Sequence, residues 1–306
     1  MIFDTNKVSI IGCGKVGMSA AYSLLHQGVV NELVLFGRDK NQLLGEELDL
    51  EHALSFLPSA TIKATDSYAD LENSDVVVIT AGAAQKPGET RLDLTKKNLS
   101  IIESIIPNVV KYAPNSIILI VSNPVDILTY RAYQIAGWPK GRIFGSGTTL
   151  DTSRFRFHLS EFLKVSPRSI HAYILGEHGD SSFPVISSAM VGGQSITTLD
   201  SFSEEKALKA YEKAKEAAYK IIACKGSTFF GIGAVISHIV GKILRDAKSV
   251  LPVSIPLHQY YGHSGMAVSV PCVIGRAGVE KVLEAKLDWK EKQELAKSVE
   301  TLKSYL

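Results

Sequence analysis

Lys7-Val8-Ser9-Ile10-Ile11-Gly12-Cys13-Gly14-Lys15-Val16-Gly17 is a short β-rich run that ends in Gly-x-Gly-x-x-Gly. The chain then reads as helix from Val16 to about Gln27, and a second strand, Leu33-Val34-Leu35-Phe36, follows. Each glycine has its own task in such a strand-turn-helix. Gly12 permits the tight turn, Gly14 lets the backbone approach a pyrophosphate, and Gly17 lets the helix pack on the strand. The helix start offers unsatisfied N–H groups and the positive end of its dipole to the phosphates. The stretch predicts a dinucleotide-binding first half. One position departs from the pattern. After the second strand a carboxylate normally binds the adenosine ribose hydroxyls of NAD; here Gly37 stands there, followed by Arg38 and Asp39. The missing anion no longer repels a 2′-phosphate, and the adjacent guanidinium attracts one. NAD is the expected coenzyme and NADP a second candidate, with Asp39 or backbone groups as alternative ribose partners.

Outward from this motif, strand and helix signals alternate. Strands are expected at Val8–Ile11, Leu33–Phe36, Thr61–Ala64, Asp75–Ala81, Ser116–Ser122 and Arg142–Gly145. Val76-Val77-Val78-Ile79 and Ile117-Ile118-Leu119-Ile120-Val121 are continuously apolar, as parallel strands covered on both faces must be. Helices are expected at Asn41–Leu54, Leu92–Tyr112 and Val125–Ala136. This predicts a Rossmann-like, doubly wound α/β domain over residues 1–145. Its ligand loops lie at the carboxyl ends of the strands. Ala81-Gly82-Ala83, Ser122-Asn123-Pro124 and Gly145-Ser146-Gly147 fall there. The second half, 146–306, loses the rhythm. Helical patterns at Leu150–Leu163, Glu204–Ala223, Phe229–Ala247 and from about Lys290 mix with strand-like runs at Ile170–Leu175, Phe183–Val191, Val250–Ile255 and Met266–Ile274. It reads as an α+β catalytic domain that caps the first.

With 306 residues, two domains or two lobes fit. A net charge of +2 gives no basic surface for nucleic acid. Cys13, Cys224 and Cys272 have neither metal-ligand nor disulfide spacing, which suits a reducing compartment. No apolar run is long enough to span a bilayer, and no signal peptide precedes the first strand. A cytoplasmic protein without membrane, metal or nucleic-acid partners is expected.

The chemistry concentrates in Gly176-Glu177-His178-Gly179-Asp180. A histidine between glycines has little bulk beside it and titrates near neutral pH, so it can give and take a proton within one cycle. Asp151 and Arg154 are three apart on one helix and share a face. An aspartate bonded to an imidazole fixes its tautomer, and a guanidinium clamps a carboxylate. Ala81-Gly82-Ala83-Ala84-Gln85-Lys86-Pro87-Gly88-Glu89-Thr90-Arg91 is rich in small residues and enters a helix. Such a segment can close over a site, with Arg91 polarising a carbonyl oxygen.

These motifs, with Val121-Ser122-Asn123-Pro124-Val125-Asp126 and Leu150-Asp151-Thr152-Ser153-Arg154-Phe155-Arg156, resemble the bacterial L-lactate dehydrogenases of the lactate/malate dehydrogenase family along essentially the whole chain. The resemblance implies reversible hydride transfer between NADH and pyruvate, the last step of fermentative glycolysis. It implies His178 as proton donor and acceptor, held by Asp151. Arg154 would clamp the substrate carboxylate, Arg91 would polarise the carbonyl, Asn123 would touch substrate and cofactor, and Thr228 would line the substrate pocket. The coenzyme would lie along Gly12, Gly14, Val16, Gly17, Gly37, Arg38, Tyr68, Gly82, Ala83, Val121, Asn123 and Ser146, with Ile232 near the nicotinamide. The malate relatives carry a second arginine where this chain has Gln85. A buried, unpaired carboxylate facing Gln85 would be costly, so pyruvate is preferred to oxaloacetate. Arg156 and His171 resemble the pair that binds fructose 1,6-bisphosphate at a subunit interface. An allosteric homotetramer without the long N-terminal arm of the vertebrate relatives is implied. The rivals are a malate or branched 2-hydroxy-acid dehydrogenase and, in a different class, a non-catalytic nucleotide-binding protein.

Overall fold

A computed structural model describes residues 6–83 and 91–305. Its parallel strands are β1 (Lys7–Ile11), β2 (Glu32–Phe36), β3 (Thr61–Thr65), β4 (Val76–Ile79), β5 (Ile117–Ile120) and β6 (Ile143–Gly145). Between them run α1 (Lys15–His26), α2 (Lys40–Ala53), α3 (Arg91–Tyr112) and α4 (Val125–Ala136). All residues of β4 and β5 are buried, as the apolar runs require. β1 pairs with β2 on one side and β4 on the other, so the strand order reverses there. Ligands of such sheets bind outside that reversal, at the carboxyl ends of the strands.

The second half contains α5 (Thr149–Leu163), β7 (Ile170–Leu175), β8 (Phe183–Val191), β9 (Gln194–Ser195), α6 (Glu204–Lys225), α7 (Phe230–Leu244), β10 (Ser249–Pro256), β11 (Ala267–Gly275), β12 (Gly278–Val282) and α8 (Trp289–Lys303). β7, β8 and β9 form a small antiparallel sheet. The other three strands differ from the expected cap. β10, β11 and β12 extend the first sheet, which runs β12-β11-β10-β6-β5-β4-β1-β2-β3 among the described residues. The junction is a single antiparallel pair, Ser254 with Gly145. Every residue of β11 except Val273 is buried, and only a position between neighbouring strands and helices covers so apolar a run. The halves also meet through helices. Ser237 on α7 bonds Ser23 of α1 at 2.7 Å, and a Cβ on Gly233 would stand 2.4 Å from Ser19 Oγ.

Smaller differences have local causes. β4 and β5 end earlier than expected, because Thr80 and Ala81 both donate to Ile11 O and Val121 and Ser122 both donate to Ile79 O. The chain there turns out of the ladder toward the ligand side. α7 stops at Leu244, since Asp246 and Lys248 adopt left-handed backbones that a helix cannot continue. β12 had no apolar pattern to announce it, because three of its residues face solvent.

Candidate active site

The first ligand surface lies at the strand-order reversal. Gly12 has φ +108°, and a Cβ there would sit 2.5 Å from Ala81 N. A Cβ on Gly17 would collide with Gly12 O at 2.1 Å, so α1 can approach its strand only with glycine there. A Cβ on Gly14 would meet nothing within 4 Å, which leaves the start of α1 open to phosphate. Gly12, Gly14, Gly37, Arg38, Tyr68, Gly82 and Ala83 line one cleft of about 740 Å³, with Phe36, Thr80, Ile101 and Ile105. The Tyr68 ring lies 4.3 Å from that of Phe36 and walls the far end. Glycine cradle, open helix start and elongated cleft together fit a dinucleotide. Cys13 is no nucleophile here, because burial pushes its thiol up to about 12.

The second surface is the turn after β7. Thr148 Oγ1 donates to Ile174 O at 2.6 Å, and Ile174 N donates to Thr152 Oγ1 at 2.9 Å, tying α5 to β7. Asp151 therefore faces the turn, and His178 Nδ1 stands 2.6 Å from Asp151 Oδ2. A carboxylate only accepts, so the Nδ1 proton belongs to this bond and Nε2 has no partner among the described residues. Arg154 Nη1 donates to the other oxygen, Asp151 Oδ1, at 3.0 Å. Burial alone would depress the imidazole, but the charge and hydrogen bond of Asp151 override it and hold His178 at about 9. Burial would likewise raise Asp151, but His178 and Arg154 keep its carboxyl below the usual range. At neutral pH the site is an imidazolium–carboxylate–guanidinium row with a free N–H at one end. It can donate a proton to an oxygen and bind a small carboxylate beside it.

The turn itself is held by buried polar groups. His178 N donates to Asp126 Oδ2 at 2.7 Å, and Ser254 Oγ donates to Asp126 Oδ1 at 2.5 Å. Burial pushes Asp126 up to about 6 against those two bonds. Glu177 N donates to Ser298 Oγ on α8 at 2.6 Å, and Ser181 Oγ donates to Glu177 Oε2 at 2.5 Å. Gly176 exchanges backbone bonds with Ser269 of β11 at 2.9 and 3.1 Å.

A family model for the lactate/malate dehydrogenase NAD binding domain matches residues 6–145, and one for the alpha/beta C-terminal domain matches residues 148–306. The chain belongs to the lactate/malate dehydrogenase family. It is 45% identical over 305 residues to L-lactate dehydrogenase 1 of Clostridium acetobutylicum, covering 98% of this chain and 97% of the relative. It is 46% identical over 298 residues to the L-lactate dehydrogenase of Halalkalibacterium halodurans, covering 97% and 96%. Among solved structures, the minor L-lactate dehydrogenase of Enterococcus mundtii superposes with a TM-score of 0.95 at 40% identity, covering 99% of this chain and 98% of that one. A lactate dehydrogenase from a Medee basin deep-sea metagenome library gives the same figures.

The remaining residues expected from the family fall as follows. Val16 is the second residue of α1, Val121 follows β5, and Ser146 follows β6 and donates from its backbone to Ile120 O. Asn123 Oδ1 accepts from Val125 N at 3.3 Å. Thr228 and Ile232 sit at the junction of α6 and α7, where a Cβ on Gly231 would lie 3.2 Å from Leu150 Cδ1; the junction thus abuts α5 beside Asp151. Gln85 and the side chain of Arg91 lie outside the described residues. Arg156 donates to Ala172 O at 2.8 Å and covers the Tyr173 ring, so much of its guanidinium is engaged within the chain. His171 is exposed on β7, two residues from Tyr173. Sequence reasoning missed Asp126 as a support, and Asn98, Ser254 and Ser298 altogether. Asn98 accepts from Ala83 N at 2.7 Å and donates to Asn123 O at 2.7 Å, joining two ligand loops.

Proposed function

We propose that the chain is an L-lactate dehydrogenase that reduces pyruvate to L-lactate reversibly, the closing step of fermentative glycolysis in the cytoplasm. The observation that carries this reading is the 2.6 Å bond from His178 to Asp151, with Arg154 on the same carboxylate. The cleft lined by Gly12, Gly14 and Tyr68 would hold NADH, which would supply the hydride for the carbonyl carbon. His178 gives its Nε2 proton to the carbonyl oxygen, and Asp151 stabilises the imidazolium before that step. Arg154 pairs bidentately with the substrate carboxylate and fixes its orientation. Arg91 polarises the carbonyl, and Asn123 and Thr228 bound the pocket. Gln85 meets the methyl group and disfavours a second carboxylate. NAD is the principal coenzyme, and Gly37-Arg38 admits NADP. The working form is a homotetramer activated by fructose 1,6-bisphosphate held between copies of Arg156 and His171. The test is NADH oxidation with pyruvate, oxaloacetate and 2-oxoisocaproate. Pyruvate should give the highest kcat/KM, and a higher value for either of the others would overturn the substrate assignment.

A further inference from the structure

The turn after β2 lacks the acidic group that would meet an adenosine ribose, and space does not explain the loss. A Cβ on Gly37 would meet only the side chain of Leu43, at 3.2–3.5 Å, and Gly37 is not left-handed. A flexible leucine end can yield, so an aspartate is sterically admissible there. Glycine at this place is a choice about recognition rather than about folding.

Four charged side chains rim this end of the cleft: Arg38, Asp39, Lys40 and Asp66. Both anions are engaged. Asp39 Oδ1 accepts from Asn41 N and Gln42 N, each at 3.1 Å, and so caps α2. Asp66 is paired with Lys40 at 2.9 Å. Arg38 is exposed, lines the cleft, and has no ion pair among the described residues. Two cations and two anions leave the rim neutral, where an acidic residue at position 37 would leave it negative. The free charge is the guanidinium, whose fork suits a phosphate. The aromatic wall of Tyr68 and Phe36 serves an adenine whatever its ribose carries.

We infer that this rim is a 2′-phosphate site, with Arg38 as its ligand, and that the enzyme binds NADP(H) beside NAD(H). The inference rests on the dinucleotide part of the proposed function. Calorimetric titration with adenosine 5′-monophosphate and adenosine 2′,5′-bisphosphate reads the added phosphate alone, and fluorescence titration with NADH and NADPH reads it in the whole coenzyme. The bisphosphate should bind at least as tightly as the monophosphate, and the Kd of NADPH should lie within about tenfold of that of NADH. Arg38→Gln and Gly37→Asp should each raise the ratio of NADPH to NADH Kd by about tenfold or more, with the circular-dichroism spectrum and thermal midpoint as the check that each variant has folded. Added salt should weaken NADPH more than NADH, because the guanidinium is exposed. A parent Kd for NADPH more than about a hundredfold above that for NADH, or an unmoved ratio in Arg38→Gln, would overturn the inference. NADH binding without NADPH binding sinks this inference alone; failure of both coenzymes to bind sinks the dinucleotide reading with it.

Discussion

At the residue scale the decisive quantity is the proton on His178. Its folded value of about 9 lies above the ordinary imidazole value of 6.5. A raised value means the proton is held in the folded protein up to about pH 9 and lost above it. Its contribution to stability is complete below the unfolded value and disappears as pH rises through the folded one. Pyruvate reduction consumes that proton, so its rate should hold through neutrality and fall on approaching pH 9, whereas lactate oxidation should rise over the same interval. A stopped-flow pH series in both directions checks this, and parallel profiles would remove His178 from the proton transfer. His178→Asn should lower kcat by about 10²–10⁴ while NADH still binds, because the coenzyme loops are elsewhere. Gln85→Arg should raise kcat/KM for oxaloacetate and depress it for pyruvate, since a new cation meets the second carboxylate. An unchanged ratio of the two constants would place residue 85 outside the pocket. His178, Asp151 and Arg154 were legible because their chemistry is rare in combination and their spacing sets a shared face. Asp126 left a fainter trace, a lone acid in the apolar run Val125-Asp126-Ile127-Leu128.

At the scale of elements, the support of the turn at residues 176–180 comes from helices and strands distant in sequence. Ser298 lies fully buried on α8 and accepts from Glu177 N. Ser298→Ala would leave a buried N–H unsatisfied, at a cost of about 1–3 kcal/mol. The expected outcome is a drop in kcat of about tenfold with NADH affinity near that of the parent, because α8 does not line the coenzyme cleft. Equal losses in turnover and coenzyme binding would reduce Ser298 to general packing. Helical spacing places this serine on the inward stripe with Leu295, Val299 and Leu302, but no neighbour in sequence says what it bonds. Asn98 was hidden for the same reason. The elements themselves were readable where apolar periodicity is strong, as at α4, β7 and β8, whose expected and observed limits coincide.

Over the whole molecule, the alternating first half was legible from continuous apolar runs and the glycine fingerprint. The joining of both halves in one sheet was not, because it depends on one long-range pair, Ser254 with Gly145, that no local pattern encodes. Regulation belongs to this scale as well. If fructose 1,6-bisphosphate bridges copies of Arg156, the effector must draw the guanidinium from Ala172 O and Tyr173 or use its remaining N–H groups. An effector shifts an assembly only by its differential affinity for the two states. Arg156→Ala should therefore abolish the fall in pyruvate KM caused by the effector and the accompanying gain of tetramer in sedimentation. Equal activation in parent and variant would exclude Arg156.

The bond from Glu177 to Ser298 spans 121 residues, and the backbone pair from Gly176 to Ser269 also reaches forward along the chain. On a ribosome, which adds roughly 5–20 residues per second, His178 emerges after Asp126 and Asp151 but many seconds before Ser269 and Ser298, which tie down the adjoining Gly176 and Glu177. The glycine turn and its neighbouring strands can already be paired by then. The glycine cradle thus precedes the full anchoring of the turn that carries His178, which waits for α8 to be made.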